Sequence, residues 1–217
     1  MAKSREGKRG VYFGSLFSES EILTETEMRV NANYIYSELS NAGWTANSIS
    51  AILGNLQAES SINPGRWQGD NVGNYDNGYG LVQWTPATNY TDWCLGQGFN
   101  DPSEMDANLS RILYEVENGL QWIPTNSYNF SFADFTASSE SVSNLAKAFL
   151  LNYERPKDQS DEVQNYRSSL AEAWYTYLTG TAPIDTDIPI TKAKKSKYNF
   201  LLFNAKRRNA KWKGKHF

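Results

Sequence analysis

Apolar residues recur every three or four positions through most of this chain, a spacing that predicts a mainly helical protein. The first stripe is Met28, Ala32, Ile35, Tyr36 and Leu39; the capping-box pattern Thr24-x-x-Glu27 opens it and Gly43 ends it. A second stripe, Ile49, Ile52, Leu53 and Leu56, follows a cap at Thr45 or Asn47 and stops at Asn63-Pro64-Gly65. Residues 65–80 are dense in Gly, Asn and Asp, which predicts turns with a small hairpin rather than a helix. Further helices are predicted over 86–96, from a Ser103-x-x-Asp106 cap through Val116, over 141–152, and from Val163 to Leu178. Residues 126–137 read as a loop, Pro156 as a break and Gly180 as the final stop. No internal repeat interrupts this order.

Charge divides the 217 residues more sharply than the periodicity does. The net charge is −3, yet residues 191–217 carry ten Lys/Arg and no acid, and residues 1–10 carry a net +3. The stretch between them is strongly acidic. Four parts are therefore expected: a basic, flexible arm over 1–24, a helical domain over 25–180, a Pro-containing linker over 181–190, and a basic aromatic arm over 191–217. In the last, Phe200, Leu201, Leu202 and Phe203 need burial, which favours an anchor onto other proteins over a solvated tail. Charge alone is non-specific, so no particular nucleic-acid binding is predicted.

Other residue counts exclude several chemistries. There is one cysteine, Cys94, so no intrachain disulfide, and one histidine, His216, so no His-rich metal site and no Ser-His or Cys-His pair inside the body. No metal and no cofactor is expected. Apolar runs are too short for a membrane span, and Val11 to Phe17 is too short for the core of a signal peptide, so the chain is expected to be made in a cytoplasm without exporting itself.

The candidate chemistry lies in Asn55-Leu56-Gln57-Ala58-Glu59-Ser60-Ser61-Ile62-Asn63-Pro64. Continuing the stripe of the second helix places Glu59 on its inward face near the C-terminal end. Partial burial and the negative end of the helix dipole both favour a neutral carboxyl there. A carboxyl that keeps its proton is what a glycosidase uses to protonate a leaving oxygen. A lone glutamate near a helix end is more commonly a solvated surface group, so position by itself leaves both readings open.

The wider pattern is more specific. Glu59-Ser60-x-x-Asn63-Pro64 followed by Gly78-Tyr79-Gly80-Leu81-Val82-Gln83-Trp84 resembles the lysozyme-like superfamily of goose-type lysozymes and lytic transglycosylases. With Glu27-Met28-x-Val30-Asn31-Ala32, Gly43-Trp44-Thr45, Leu53-Gly54-Asn55, Thr85-Pro86-Ala87 and Tyr153-Glu154-Arg155-Pro156, the order of segments resembles the phage tail lysozymes, tail-tip knob proteins of short-tailed phages of Gram-positive bacteria. The resemblance covers roughly residues 25–180. It implies a mainly α, α+β lysozyme-like fold, with a small β or turn element beside a glycan cleft.

By that resemblance Glu59 is the general acid and Ser60 steadies its neighbourhood. Gly80 to Gln83 line the cleft, where the Gln83 amide grips N-acetyl groups, and Tyr153 lies near the acid. Tyr79 and Trp84 are further substrate-binding candidates, although core packing explains Trp84 and Tyr153 equally well. Trp67 is expected on a cleft wall because it sits in the turn-rich segment. A second carboxylate is sought in Asp76, with Asp70 the alternative; either residue type is also an ordinary turn former. Glu154-Arg155 reads as a structural ion pair. The implied function is a virion-associated hydrolase of the β-1,4 MurNAc-GlcNAc bond of peptidoglycan during genome entry, attached to other tail proteins through the arms. A transglycosylase using Glu59 alone and an inactive structural tail protein stand as alternatives. Some relatives carry a zinc endopeptidase domain after the lysozyme; His216 alone cannot build that site.

Overall fold

The computed structural model describes residues 5–6 and 12–180. The linker at 181–190 and the basic arm at 191–217 lie outside the described residues, as does most of the basic stretch 1–10. Among the described residues there are seven α-helices: α1 (Glu25–Asn41), α2 (Ala46–Ser60), α3 (Thr88–Gly96), α4 (Met105–Asn118), α5 (Phe132–Ala137), α6 (Val142–Phe149) and α7 (Asp161–Thr179). The fold is mainly helical, as expected from periodicity. Two short strands, β1 (Arg5–Glu6) and β2 (Phe13–Gly14), pair antiparallel.

Local chemistry accounts for most boundaries. The Thr24 hydroxyl accepts from the Glu27 amide while the Glu27 carboxylate accepts from the Thr24 amide, closing the box at the start of α1. Thr45 caps α2 through the Ser48 amide, so of the two candidates Thr45 is the cap. The Ser103 cap is not formed: its hydroxyl donates to Asp101 Oδ1 at 2.6 Å, and α4 starts after Glu104 without a side-chain cap. The loop expected over 126–137 contains α5, started by a second capping box, Ser131 with Asp134.

The core is α2 packed between α6 and α7, with α2 and α7 in the most extensive contact. Gly54 permits it: a Cβ there would stand 2.6 Å from the backbone nitrogen of Ala171. Ile49, Ile52, Leu53 and Leu56 of α2 are fully buried against this layer.

Residues 12–24, expected as part of a flexible arm, are instead bound to the body. Asn31 of α1 donates from Nδ2 to Phe13 O (2.8 Å) and Ile62 O (2.7 Å), and its Oδ1 accepts from the Phe13 amide. Asn63 accepts from the Ser15 amide and donates to Ser15 Oγ and Glu21 O. Gly65 lies so close to Ser15 O that any Cβ would clash, at 2.1 Å. Buried polar groups satisfied this way hold a segment that has little regular structure of its own.

The turn-rich segment contains no continuous hairpin. It has a short 3₁₀ turn, Gln68–Asp70, and two isolated antiparallel bridges, Trp67 to Tyr79 and Tyr79 to Trp84.

Candidate functional site

Helix α2 delivers Glu59 in its last turn. The helix ends at Ser61 in a left-handed conformation (φ 51°), followed by Ile62, also left-handed (φ 54°). Those two residues turn the chain sharply, so Ser60 and Glu59 face what comes next. Ser60 is buried, and its hydroxyl donates to Leu56 O (3.0 Å) and Leu81 O (2.9 Å), joining the helix end to the Gly80–Gln83 loop. The Leu81 amide donates to Asn108 Oδ1, so α4 fixes that loop from its other side.

The Glu59 carboxylate is about one-fifth exposed and accepts from Arg167 Nη2 of α7 at 2.5 Å. Arg167 Nη1 donates to Asn55 O at 2.8 Å, so one guanidinium clamps both the helix backbone and the side chain. The close approach of α7 at Gly54 places Arg167 one helical turn away, at Glu59.

A cavity of about 210 Å³ has a lining that includes Gln83, Trp84, Arg111, Glu115, Tyr153 and Glu154, though neither Glu59 nor Arg167. Its floor is organised by Glu115 of α4, which is almost fully buried. Glu115 Oε1 accepts from Trp84 Nε1 (2.9 Å) and Arg111 Nε (2.8 Å), and Oε2 accepts from the Tyr153 hydroxyl (2.5 Å). Burial raises the Glu115 carboxyl above the ordinary carboxylate range, opposed by the hydrogen bond from Tyr153 and the charge and hydrogen bond of Arg111. Burial also holds the Tyr153 hydroxyl neutral, well above the usual phenol value, with Glu115 adding to the effect.

Glu154 ends a π-type turn, Leu150–Glu154, that closes at Arg155 in the left-handed region (φ 48°). The residue is partly exposed, yet its Oε1 is sealed from solvent and has no hydrogen-bond partner among the described residues. Burial raises its carboxyl well above the ordinary range; the Glu59 charge adds to this, and Arg167 opposes it. Arg155 points elsewhere, with Nη1 donating to Gln121 O (2.5 Å) and Asn152 O (2.6 Å). The Glu154-Arg155 ion pair read from the sequence is thus absent among the described residues, because the wide turn sends consecutive side chains apart.

The structure brings Gln83, Trp84 and Tyr153 together at the cavity, with Ser60 behind the loop and Glu59 near enough for its charge to act on Glu154. Gln83 spends its amide N–H groups on Arg66 O (3.1 Å) and Gly80 O (2.7 Å), while its Oε1 is enclosed and unpartnered. The amide is therefore held by the protein itself, with its oxygen closed to solvent.

Trp67 and Tyr79 are not on a cleft wall. Both are fully buried, with rings 4.5 Å apart, and Trp67 Nε1 donates to Phe17 O at 2.8 Å. The bound segment 12–24 covers them, so neither ring has a face free for a sugar. Asp76 sits exposed in a turn whose Asp76 amide donates to Asn74 Oδ1, and no hydrogen bond or ion pair joins it to Glu59. Asp70 is paired with Arg66 and accepts from the Ser20 hydroxyl.

Reading the sequence missed Glu115, Arg167 and the cavity-facing role of Glu154. Glu115 did carry a signal, since it lies three residues beyond Ile112 on the inward stripe of α4. Cys94 is buried, and burial pushes its thiol up to about 11, unlike an activated nucleophile. No helix among the described residues is long and apolar enough to cross a membrane.

A helical domain with a glutamate at the end of a central helix, bonded through the next serine to a Gly-Leu-x-Gln loop, is a lysozyme-like arrangement. A family model described as phage tail lysozyme matches residues 30–178, so the chain belongs to the phage tail lysozyme family. Morphogenesis protein 1 of Bacillus phage B103 is 47% identical over 164 residues, covering 76% of this chain and 43% of that protein. The chain thus spans less than half the length of that relative.

Proposed function

We propose that this chain is a virion-associated peptidoglycan hydrolase that cuts the β-1,4 MurNAc-GlcNAc bond, with Glu59 as general acid. The observation that carries the reading is Glu59 in the last turn of α2, clamped by Arg167 and followed by Ser60, which bonds to Leu81 O, in a chain of the phage tail lysozyme family. Glu59 protonates the glycosidic oxygen as the bond breaks and then accepts a proton from the attacking water. Gln83 lines the cavity, its amide held by Arg66 O and Gly80 O. Trp84 and Tyr153 shape the cavity wall, held by Glu115.

The alternative chemistry is transglycosylation, in which the substrate's own hydroxyl attacks and Glu59 acts without a second carboxylate. Clearing of purified Gram-positive walls by the wild type and not by Glu59→Gln tests the assignment; equal clearing by both would sink it. Mass spectrometry of the released fragments separates the two chemistries, since reducing ends mark hydrolysis and 1,6-anhydro ends mark transglycosylation. Attachment to other tail proteins is assigned to the arms. Deleting 181–217 tests it, because normal incorporation of the truncated chain into particles would remove the C-terminal arm from that role.

A further inference from the structure

We propose that the cavity lined by Trp84 and Tyr153 is a recognition site for a protonated primary amine, with Glu154 as its counter-ion. The proposal does not depend on the role of Glu59.

The hydrogen bonds of the lining leave it short of free donors and rich in free acceptors. On the buried side, Tyr153 and Trp84 give their O–H and N–H to Glu115. At the exposed mouth, the Thr85 hydroxyl donates to Gln83 O, while Asn89 and Gln121 donate from their amide nitrogens to Thr85 O (2.9 Å) and Tyr153 O (3.3 Å). A side-chain amide fixed through its nitrogen keeps its carbonyl oxygen as an acceptor. Asn89 Oδ1 and Gln121 Oε1 have no donor among the described residues.

The charges are unbalanced in the matching sense. Among the described residues the lining holds one cation, Arg111, and two carboxyls, Glu115 and Glu154. Arg111 donates from Nε to Glu115 at 2.8 Å, and its guanidinium lies over the rings of Trp93 (5.2 Å) and Tyr114 (5.7 Å), so that pair is complete. The Glu154 carboxyl makes no hydrogen bond and no ion pair among the described residues, and its Oε1 is sealed from solvent. Its neighbour Arg155 is spent on backbone carbonyls, and Arg167 is paired with Glu59. A carboxylate enclosed without a partner is costly, and a cation entering the cavity removes that cost. Burial favours the neutral acid beforehand, with Glu59 and Glu115 adding to this and Arg167 and Arg155 opposing it, so the incoming cation displaces a proton.

An ammonium group brings one positive charge, three donors and no acceptor. Glu154, Asn89 Oδ1 and Gln121 Oε1 lack those same things. An acetylated amine brings one N–H, no charge and a further acceptor, which suits the lining poorly. At about 210 Å³ the cavity is smaller than the roughly 300–1,000 Å³ of pockets that enclose drug-sized ligands, so it takes one such group and not a run of glycan. In a cell wall that group has two sources: an amino sugar without its acetyl, or the side-chain amine of a wall peptide.

The test titrates the full chain near pH 7 with two amines, glucosamine and Nα-acetyl-lysine amide, and with their N-acetylated counterparts. The reporter is the Trp84 indole N–H in nitrogen-15 NMR. At least one amine should bind and shift that signal, with its acetylated counterpart weaker by about tenfold or more. Binding of glucosamine alone identifies the sugar as the source, and binding of the lysine amide alone identifies the peptide. Glu154→Gln should weaken amine binding by about tenfold or more, whereas Glu172→Gln, which removes an exposed acid of α7, should bind as the wild type does. No binding of either amine, equal binding of the acetylated forms, or unchanged binding by Glu154→Gln would each overturn the proposal. The comparison of amine with acetylated amine needs only the wild type, so it decides the matter even where Glu154→Gln fails to fold. If the wild type clears no walls, the function reading fails on its own and this binding test is unaffected.

Discussion

Replacing Gly54 by alanine sets two opposite effects against each other at the contact that positions Arg167. By helix propensity alone, alanine in a helix interior is favoured over glycine by about 1 kcal/mol. Against that, the new methyl would lie 2.6 Å from Ala171 N and 2.8 Å from Ala171 Cα and Cβ, where ordinary contacts begin near 3.4 Å. The obstacle is mostly backbone, so no rotamer change relieves it; α7 must move by most of an ångström. Overpacking of this kind costs about 1–3 kcal/mol, and a backbone obstacle belongs in the upper half of that range. The net expectation is a loss of about 1–2 kcal/mol, equivalent to a fall in Tm of about 2–8 °C for a domain of this size. Displacing α7 also draws Arg167 from Asn55 O and Glu59, so clearing activity per folded molecule should drop. Gly96→Ala is the control: it lies in α3 with nothing within 4 Å of its new methyl. That variant should be unchanged or more stable by up to about 1 kcal/mol. Urea unfolding of both variants decides the matter. If Gly54→Ala matches or exceeds the wild type, the close approach of α2 and α7 does not constrain the fold as argued.

Three further outcomes are expected. Glu115→Ala strands the Arg111 guanidinium, Trp84 Nε1 and the Tyr153 hydroxyl together, and should cost about 3–5 kcal/mol in denaturant unfolding, with Glu115→Gln milder. Trp67→Ala should cost about 3–5 kcal/mol of stability, whereas an exposed sugar-stacking tryptophan would leave unfolding nearly unchanged. Because the folded-state value of Glu115 is raised, the stability tied to its proton is complete below about pH 4.3 and is lost as pH rises through the folded value. Thermal melts over pH 4–8 should therefore show a shallower decline in Glu115→Gln than in the wild type, and parallel curves would count against this assignment.

What could be read from the chain was whatever depends on neighbours a few residues apart. The α1 capping box and the Thr45 cap involve groups three residues apart, and the structure forms both. Ser103 fit the same rule, but Asp101 claims its hydroxyl from the opposite direction. Trp67 was read from its turn-rich surroundings, which say nothing of Phe17 and Ser20, fifty and forty-seven positions earlier, that bind and cover it. Glu154 and Arg155 are adjacent in sequence, and adjacency suggested a pair; a single wide turn separates them. Arg167 was the least legible of all, since nothing local distinguishes it from other arginines on a helix and its partner lies on a different element.

That last contact also sets an order of assembly. The groups that hold residues 12–24 in place, Asn31, Asn63 and Trp67, all lie in the first third of the chain, so that segment has its partners early in synthesis. Glu59 and Arg167 are 108 positions apart. Until α7 has been made, Glu59 sits on a helix whose Gly54 face is bare, with no guanidinium beside it, and closing so long a loop comes late because its entropy cost must be met by contacts already formed. The corner that joins Glu59 to Arg167 can therefore be completed only once α7 has been made, and a chain released before α7 carries the glutamate without the arginine that clamps it.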